Sequence, residues 1–215
     1  MRIQLPEKVS KIINCLTEAG YEAYAVGGCV RDTLLGRTPG DWDITASAKP
    51  AEVKALFGRP IETGILHGTV TVMLGKEGFE VTTYRIDGEY EDARHPKNVV
   101  YTANLLEDLK RRDFTINAMA YNDAEGLIDA FNGIADLKKQ VIRCVGDPMD
   151  RFGEDALRML RAVRFAAQLG FSIEEKTRGA IISLAPNLSR ISAERIQTEL
   201  VKLLVSNSKD RKSVV

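Results

Sequence analysis

Cysteine and histidine are scarce in this chain, and their scarcity excludes several kinds of site. The 215 residues include three cysteines and two histidines, without a CxxC pair. Widely spaced cysteines in odd number argue against a disulfide framework and against structural zinc. Two histidines, His67 and His95, give little support to a Ser-His-Asp triad or a histidine-ligated metal. We expect Cys15, Cys29 and Cys144 to be reduced.

The chain also lacks a net charge and a long apolar run. Its 30 basic and 30 acidic residues cancel, so no overall field attracts it to nucleic acid or to an anionic membrane. Any polyanion must therefore meet a local cluster of basic side chains. There is no run of about 18 apolar residues, and the first residues contain no apolar signal segment. We expect a cytoplasmic protein that does not contact membranes.

Hydrophobic residues are plentiful, at 44% of the chain, which is enough for one large core or two small ones. Apolar residues at helical spacing predict helices over residues 6–19 and 50–57. Alternating patterns predict a hairpin of strands 68–74 and 79–84, joined by Gly75-Lys76-Glu77-Gly78. A helix is also predicted over residues 105–121.

From Met149 onward every apolar period is helical, and this change marks a boundary between two domains. The predicted helices there cover residues 154–169, 174–184 and 193–205. The fold class is therefore α+β, with a mixed head domain at 1–144 and an all-helical domain at 145–207. Residues 208–215 are polar, and we expect a disordered tail.

Two glycines and two aspartates lie within one short stretch of chain. Gly27-Gly28-Cys29-Val30-Arg31-Asp32 follows an apolar strand pattern, and Asp41-Trp42-Asp43 follows soon afterwards. On a strand, Asp41 and Asp43 would point to the same side, roughly 6 to 7 Å apart at Cα. Two such oxygen donors can hold Mg²⁺ against a substrate phosphate, which is the basis of phosphoryl or nucleotidyl transfer. The alternative is a solvated acidic turn.

Glu80 is a candidate for a third carboxylate. It lies on the second strand of the predicted hairpin, on the same side as Thr82 and Tyr84. Sites of phosphoryl transfer commonly use a third acid for the second metal ion or for the nucleophile. The alternative is an edge-strand charge that discourages aggregation.

The predicted helix 154–169 carries an acid beside an arginine. Asp155 and Arg158 are three residues apart, on a different side from the apolar stripe of Ala156, Leu160, Val163 and Ala167. A carboxylate beside a guanidinium can accept from and donate to the edge of a nucleobase. Arg161 and Arg164 follow and suit a triphosphate. The alternative is an ordinary ion pair within the helix.

Together these motifs resemble the class II tRNA nucleotidyltransferases, the CCA-adding enzymes, and the related bacterial poly(A) polymerases. The resemblance covers residues 22–205. The glycine and Asp-x-Asp segments look like the family's catalytic motif, Arg111-Arg112-Asp113-Phe114-Thr115-Ile116-Asn117-Ala118 like its ribose motif, and Glu154-Asp155-Ala156-Leu157-Arg158 like its amino-acid template. The resemblance implies a polymerase-beta-like head, with a small mixed sheet and flanking helices, followed by a helical neck.

The resemblance also implies a role for each matching residue. Asp41 and Asp43 would hold two catalytic Mg²⁺ ions, with Glu80 as the third carboxylate. The nucleotide-binding residues would be Gly28 and Arg31 for the triphosphate, Arg112 and Asp113 for the ribose, Asp155 and Arg158 for the base, and Arg161 and Arg164 for the phosphates or base.

The implied activity is addition of CMP and AMP, from CTP and ATP, to the 3′ end of tRNA with release of pyrophosphate. Addition of A alone or of poly(A) is the alternative activity, and a non-catalytic nucleotide-binding or RNA-binding module is the third hypothesis. Residues 85–96 look like the flexible loop of A-adding and full CCA-adding members. Family members typically continue past the neck into tRNA-gripping domains, so we expect nucleotide binding with weak tRNA affinity.

Overall fold

The computed structural model describes residues 2–58, 61–64, 68–88 and 99–206. These residues form two compact units. The sheet unit contains the described residues up to 87 together with 99–112 and 117–131, and the helical unit contains 113–116 and 132–206. One boundary between the units thus falls between Arg112 and Asp113. The expected tail at 208–215 lies outside the described residues.

The sheet unit is built on one mixed sheet. Among the described residues its strands are β1 (Ala23–Val26), β2 (Ile44–Ala46), β3 (Ile61–Gly64), β4 (Thr69–Leu74), β5 (Glu77–Thr83), β6 (Arg85–Asp87), β7 (Val99–Tyr101), β8 (Ala120–Asn122) and β9 (Gly126–Ile128). Seven of them follow the order β3-β4-β5-β2-β1-β8-β9, while β6 and β7 form a separate antiparallel ribbon. In the large sheet β2 and β5 are parallel, and the other neighbours are antiparallel.

Helices of the sheet unit bury the apolar sides that their sequences predict. They are α1 (Glu7–Glu18), α2 (Gly28–Leu34), α3 (Pro50–Phe57) and α4 (Leu105–Lys110). Helix α1 buries Val9, Ile12, Ile13 and Leu16, which recur at helical spacing. Helix α4 buries Leu105 and Leu109 against Tyr24 and Tyr84 of the sheet. Asp108 lies on the same side of α4 as these two leucines, so the packing also buries its side chain.

The predicted hairpin is confirmed, and its turn is shorter than expected. Strands β4 and β5 pair from Thr69 opposite Thr82 to Leu74 opposite Glu77. The turn is therefore Gly75-Lys76, with Gly75 in the left-handed region at φ 69°. A two-residue connection with such a glycine fits the twist of paired strands.

The helix predicted over 105–121 is wrong beyond residue 110. After α4 the chain forms a short 3-10 turn at Thr115–Asn117 and then strand β8 between β1 and β9. Every residue from 113 to 122 is buried. A surface helix buries one side only, whereas a strand with neighbours on both edges can be buried on all sides, so the tertiary environment decides the structure here.

Besides a 3-10 helix at Ala185–Arg190, the helical unit contains five α-helices and two short strands in the described part of the chain. They are α5 (Gly133–Lys139), β10 (Val141–Ile142), α6 (Pro148–Glu154), α7 (Leu157–Leu169), β11 (Ser172–Ile173), α8 (Glu175–Leu184) and α9 (Ala193–Leu204). Strands β10 and β11 pair in parallel. Strand β11 lies after Met149, so the expectation that this region contains only helices is wrong at this strand.

The continuous helix predicted over 154–169 is also wrong. Helix α6 ends at Glu154 and α7 begins at Leu157, with Asp155 in an extended conformation at φ −144° and ψ 103°. The break changes the phase of the buried side. Ala156 and Ala167 of the predicted stripe are buried, but Leu160 and Val163 are half-buried, and the buried side of α7 includes Met159, Ala162 and Phe165.

No helix in the described part of the chain is both long and apolar enough to cross a membrane. The three cysteines are free thiols, with Cys29 and Cys144 buried and Cys15 half-buried.

Candidate active site

Gly27 forms the turn from β1 into α2, and its backbone requires glycine. Its φ of 84° and ψ of −127° are strained for an L-residue with a side chain. A β-carbon at this position would lie 3.2 Å from Nη1 of Arg112. The missing side chain thus allows a guanidinium to approach the main chain. Gly28 follows as the first residue of α2.

Arg31 lies on α2 and is buried and firmly held. Its guanidinium donates to both carboxylate oxygens of Asp32, at 2.9 and 3.0 Å, and to Oδ1 of Asn117 at 2.6 Å. Asn117 belongs to the ribose-motif segment, so two of the segments singled out in the sequence meet in the sheet unit.

Asp41 and Asp43 lie just before β2 rather than on it, which corrects the strand placement expected from the sequence. The ladder nevertheless continues for one residue, because the amide of Val26 donates to the carbonyl of Asp43 at 3.0 Å. Val26 is the residue before the Gly27 turn. The backbone of Asp43 is therefore fixed next to the turn.

The carboxylate of Asp43 is in an acidic environment. Its side chain reaches the surface, yet surrounding protein atoms displace part of its water. This loss of hydration and the negative charges of Asp41 and Glu80 raise the pKa of Asp43 to about 6, while Arg112 opposes the rise. The site therefore carries uncompensated negative charge that a cation would relieve.

Glu80 occupies the matching position on the neighbouring strand. Ile44 of β2 pairs with Val81 of β5, and Asp43 and Glu80 each immediately precede these partners. Glu80 is exposed and acts on Asp43 through its charge. No three His, Cys, Asp or Glu side chains in the described ranges are close enough together to hold a metal ion. The structure thus shows an acidic pair with a third carboxylate in electrostatic range.

A carboxylate that was not predicted from the sequence binds two arginines of this unit. Asp108 is completely buried, and its oxygens accept from Arg111 at 2.8 and 2.9 Å and from Arg112 at 3.3 Å. Burial favours a raised pKa, but the two guanidinium charges hold the pKa of Asp108 below its usual value. Its spacing, three and four residues before the two arginines, is the sequence signal that could have identified it.

Two of the predicted nucleotide-binding residues pair with each other in the helical unit. Asp113 accepts from Nε and Nη2 of Arg161 at 2.7 and 2.6 Å and from the amide of Phe114 at 2.8 Å. The negative charge of Asp113 raises the pKa of Arg161. The structure thus links a residue of the ribose motif to an arginine of α7.

Asp155 and Arg158 each bind a different partner, which replaces the ion pair considered for them. Asp155 accepts from the amide of Leu157 at 3.0 Å and from Arg195 of α9 at 2.8 Å. Arg158 donates to Glu154 at 2.6 Å and to the carbonyl of Arg151 at 3.2 Å. The break at Asp155 separates the two side chains that a straight helix would place side by side.

Arg164 is buried away from the surface of α7. It pairs with Glu199 of α9 at 2.5 Å, donates to Gln168 at 2.8 Å, and lies 4.0 Å from the ring centre of Phe165. Burial lowers the pKa of Arg164, and the bond to Glu199 opposes that effect. Glu199 belongs to another helix, so local spacing could not indicate this acidic partner.

The flexible loop expected at 85–96 is described only at its beginning. Residues 85–87 form β6, which pairs with β7, while residues 89–98 lie outside the described residues. His67 and His95 also lie outside them.

Comparison with known families gives two matches. Residues 23–143 match the family described as "Poly A polymerase head domain", which is more than half of the chain. Residues 170–211 match the family described as "Probable RNA and SrmB- binding site of polymerase A".

Curated relatives are similar along most of this chain. A CCA-adding enzyme of Lactobacillus delbrueckii subsp. bulgaricus is 58% identical over 192 residues, which are 89% of this chain and 48% of the relative. A CCA-adding enzyme of Leuconostoc mesenteroides subsp. mesenteroides is 52% identical over 207 residues, which are 95% of this chain and 52% of the relative. The chain spans about half the length of the curated relatives it matches.

Solved structures are similar as well. The Bacillus stearothermophilus CCA-adding enzyme in complex with CTP has a TM-score of 0.89 and 44% identity, over 97% of this chain and 51% of that one. The Thermotoga maritima CCA-adding enzyme, complexed with tRNA, has a TM-score of 0.78 and 28% identity over 96% of this chain and 52% of that one.

Proposed function

The chain belongs to the family of the poly A polymerase head domain, and from that premise we propose that it is a tRNA nucleotidyltransferase that adds CMP and AMP to the 3′ end of tRNA. The proposed substrates are CTP, ATP and tRNA, and the leaving group is pyrophosphate. Because the proposed substrate is tRNA, we place the reaction in the cytoplasm.

One observation carries this proposal. The chain matches, over 97% of its length, a CCA-adding enzyme whose structure contains CTP. The acidic pair beside the Gly27 turn supports the same chemistry, because nucleotidyl transfer needs carboxylates close to a phosphate-binding main chain.

The residues present fit Mg²⁺. Asp41 and Asp43 offer oxygen ligands, and burial together with the negative charges of Asp41 and Glu80 raises the pKa of Asp43, which a nearby cation would offset. Mg²⁺ is usually held by one or two carboxylates with substrate phosphates and water, so a two-carboxylate site is sufficient. We assign these residues to two ions, with Glu80 as the third carboxylate. When bound, the ions would acidify the attacking 3′-hydroxyl and offset the charge of the leaving pyrophosphate.

Each unit contributes its own residues to the proposed reaction. In the sheet unit, Gly28 and Arg31 bind the triphosphate and Arg112 binds the ribose. In the helical unit, the corresponding assignments are Asp113 for the ribose, Asp155 and Arg158 for the base, and Arg161 and Arg164 for the phosphates or base. We assign catalysis to a head at 1–144 and nucleotide choice to a neck at 145–207.

The test is incorporation of labelled CTP or ATP into three tRNAs that end before the CCA, after C and after CC. Two C and one A on the shortest substrate is the expected result. A on the CC-ending tRNA alone would make the chain an A-adding enzyme, and long A products would make it a poly(A) polymerase. Nucleotide binding without any incorporation would contradict the proposed activity and favour a binding module.

A further inference from the structure

Asp108 is a buried carboxylate of the sheet unit that accepts several hydrogen bonds. Its side chain is fully buried at the end of α4. Its two oxygens accept from five donor atoms, which belong to Thr45, to the amide of Arg85, to Arg111 twice and to Arg112. A carboxylate has about four lone-pair sites, so these donors use its full capacity.

These bonds connect the two parts of the candidate active site in the sheet unit. Thr45 of β2 donates to Asp108 at 3.1 Å, and it lies two residues after Asp43. On the other side, Nη2 of Arg112 is 3.3 Å from Asp108, while Nη1 of Arg112 points at the Gly27 turn. Asp108 therefore joins the strand of the acidic pair to the arginine that faces the glycines.

One donor atom of Arg112 makes no hydrogen bond in the described part of the chain. Its Nε is buried and has no hydrogen-bond acceptor within the described part of the chain. A buried donor without an acceptor is costly, and such groups are common where a ligand completes the bonding. Asp108 accepts from Nη2 of this guanidinium, and Nε is left for an acceptor outside the described part of the chain.

Resting on the proposed function, we infer that Asp108 is a positioning residue, which fixes Arg112 beside the Gly27 turn in the orientation that binds the nucleotide. A preset guanidinium loses little freedom when the nucleotide binds, which strengthens binding.

The matched control is Asp136 of the helical unit. It is also a buried aspartate, and it also accepts from a threonine and an arginine, Thr115 at 2.7 Å and Arg143 at 3.2 Å. It differs in its partners, since Asp108 bonds to Thr45 of β2 and to Arg112, whereas Asp136 bonds to neither. Asp108→Asn and Asp136→Asn therefore remove the same charge from similar surroundings, and only the first acts on Arg112.

The experiment measures CTP binding to the full chain by calorimetry, together with the KM for CTP and kcat. We expect Asp108→Asn to weaken CTP binding about tenfold, since a fixed charged hydrogen bond is lost, with a larger change in KM than in kcat. Asp136→Asn should bind CTP within about twofold of the natural chain, whatever its loss of thermal stability. Equal CTP affinity of Asp108→Asn and the natural chain would overturn the inference.

A double-mutant cycle with Arg112→Gln separates positioning from general damage. If Asp108 acts through Arg112, the double variant binds CTP no more weakly than Arg112→Gln alone. Additive losses would contradict the inference. If Asp108→Asn does not fold, Thr45→Val removes one donor to the same carboxylate, and its CTP affinity replaces that of Asp108→Asn in the cycle.

The outcomes distinguish this inference from the proposed function. CTP binding by the natural chain without any incorporation into tRNA would overturn the proposed function. The double-mutant cycle would still test whether Asp108 positions Arg112. Incorporation with unchanged CTP affinity in Asp108→Asn would overturn the inference alone.

Discussion

The two units hold their arginines in different ways. In the sheet unit one buried carboxylate, Asp108, serves both Arg111 and Arg112. In the helical unit Arg161 pairs with Asp113, Arg164 with Glu199 and Arg195 with Asp155, while Glu154 accepts from both Arg151 and Arg158. Arg111 and Arg112 thus bind an acid three and four residues away on the same segment, whereas Arg161, Arg164 and Arg195 bind acids from other parts of the fold. A local partner can orient a guanidinium within one short segment, whereas a distant partner does so only in the folded unit.

The largest expected effect concerns the acidic pair of the sheet unit. Asp41→Ala should reduce nucleotide incorporation at least about a thousandfold, because a metal-holding carboxylate is lost while no buried bond is broken. The measurement is single-turnover transfer to tRNA, with circular dichroism to confirm the fold. Asp123→Asn, at an exposed aspartate of the same unit, should keep normal activity. Residual activity of Asp41→Ala near the natural level would remove this residue from the mechanism.

The next effect concerns the buried ion pair between Arg164 and Glu199 in the helical unit. Glu199→Ala should lower the free energy of unfolding by about 3 kcal/mol, because it leaves the buried guanidinium of Arg164 without its carboxylate. Urea denaturation measures this change. Glu77→Ala breaks the exposed pair with Lys8 and should cost about 0.5 kcal/mol or less. Similar losses in both variants would show that burial does not matter for the Arg164 pair.

A smaller effect concerns base choice. Asp155→Ala should reduce the preference for CTP over UTP about tenfold or more, since one hydrogen bond to the base edge is worth about 1–3 kcal/mol. Competition between the two nucleotides in a transfer assay measures it. Arg195→Met leaves Asp155 in place but frees its carboxylate, so it should weaken the preference less. Unchanged preference in Asp155→Ala would remove this residue from base recognition.

The smallest effect is on stability and depends on pH. The folded protein raises the pKa of Asp43 from 3.8 to about 6, so the fold disfavours its charged form. This cost is absent below the unfolded pKa, grows between about pH 4 and 6, and is complete above the folded pKa. Asp43→Asn should therefore be more stable than the natural chain at pH 8 and equally stable at pH 3.5, as judged by urea denaturation. A gain of the same size at both pH values would exclude this cause.

The elements predicted from periodicity are those whose environment is simple. Helix α1 and the β4–β5 hairpin each have one buried side, and the sequence shows that side directly. The segment 113–122 is buried throughout although it contains Asp113, Thr115 and Asn117, so it lacks the division into a polar and an apolar side on which periodicity depends. The helix predicted there was wrong for that reason.

Site residues divide along the same line. The acidic pair and the glycines follow one another in the chain, so a local pattern could indicate them. Two of the ion pairs could not be found in this way, because Arg195 and Glu199 reach Asp155 and Arg164 from another helix. The break at Asp155 was missed although its cause is partly local, because the amide of Leu157 donates to the Asp155 carboxylate and such a bond competes with a straight helix.

Gly27 gives the turn a handedness. Its φ of 84° and ψ of −127° are the mirror image of a comfortable extended conformation for an L-residue. A D-residue would therefore adopt this backbone without strain, and its β-carbon would replace the other α-hydrogen, away from the direction in which an L-alanine meets Arg112 at 3.2 Å. At this one position the chain has the stereochemistry of the opposite enantiomer, and among the ordinary amino acids glycine alone can supply it.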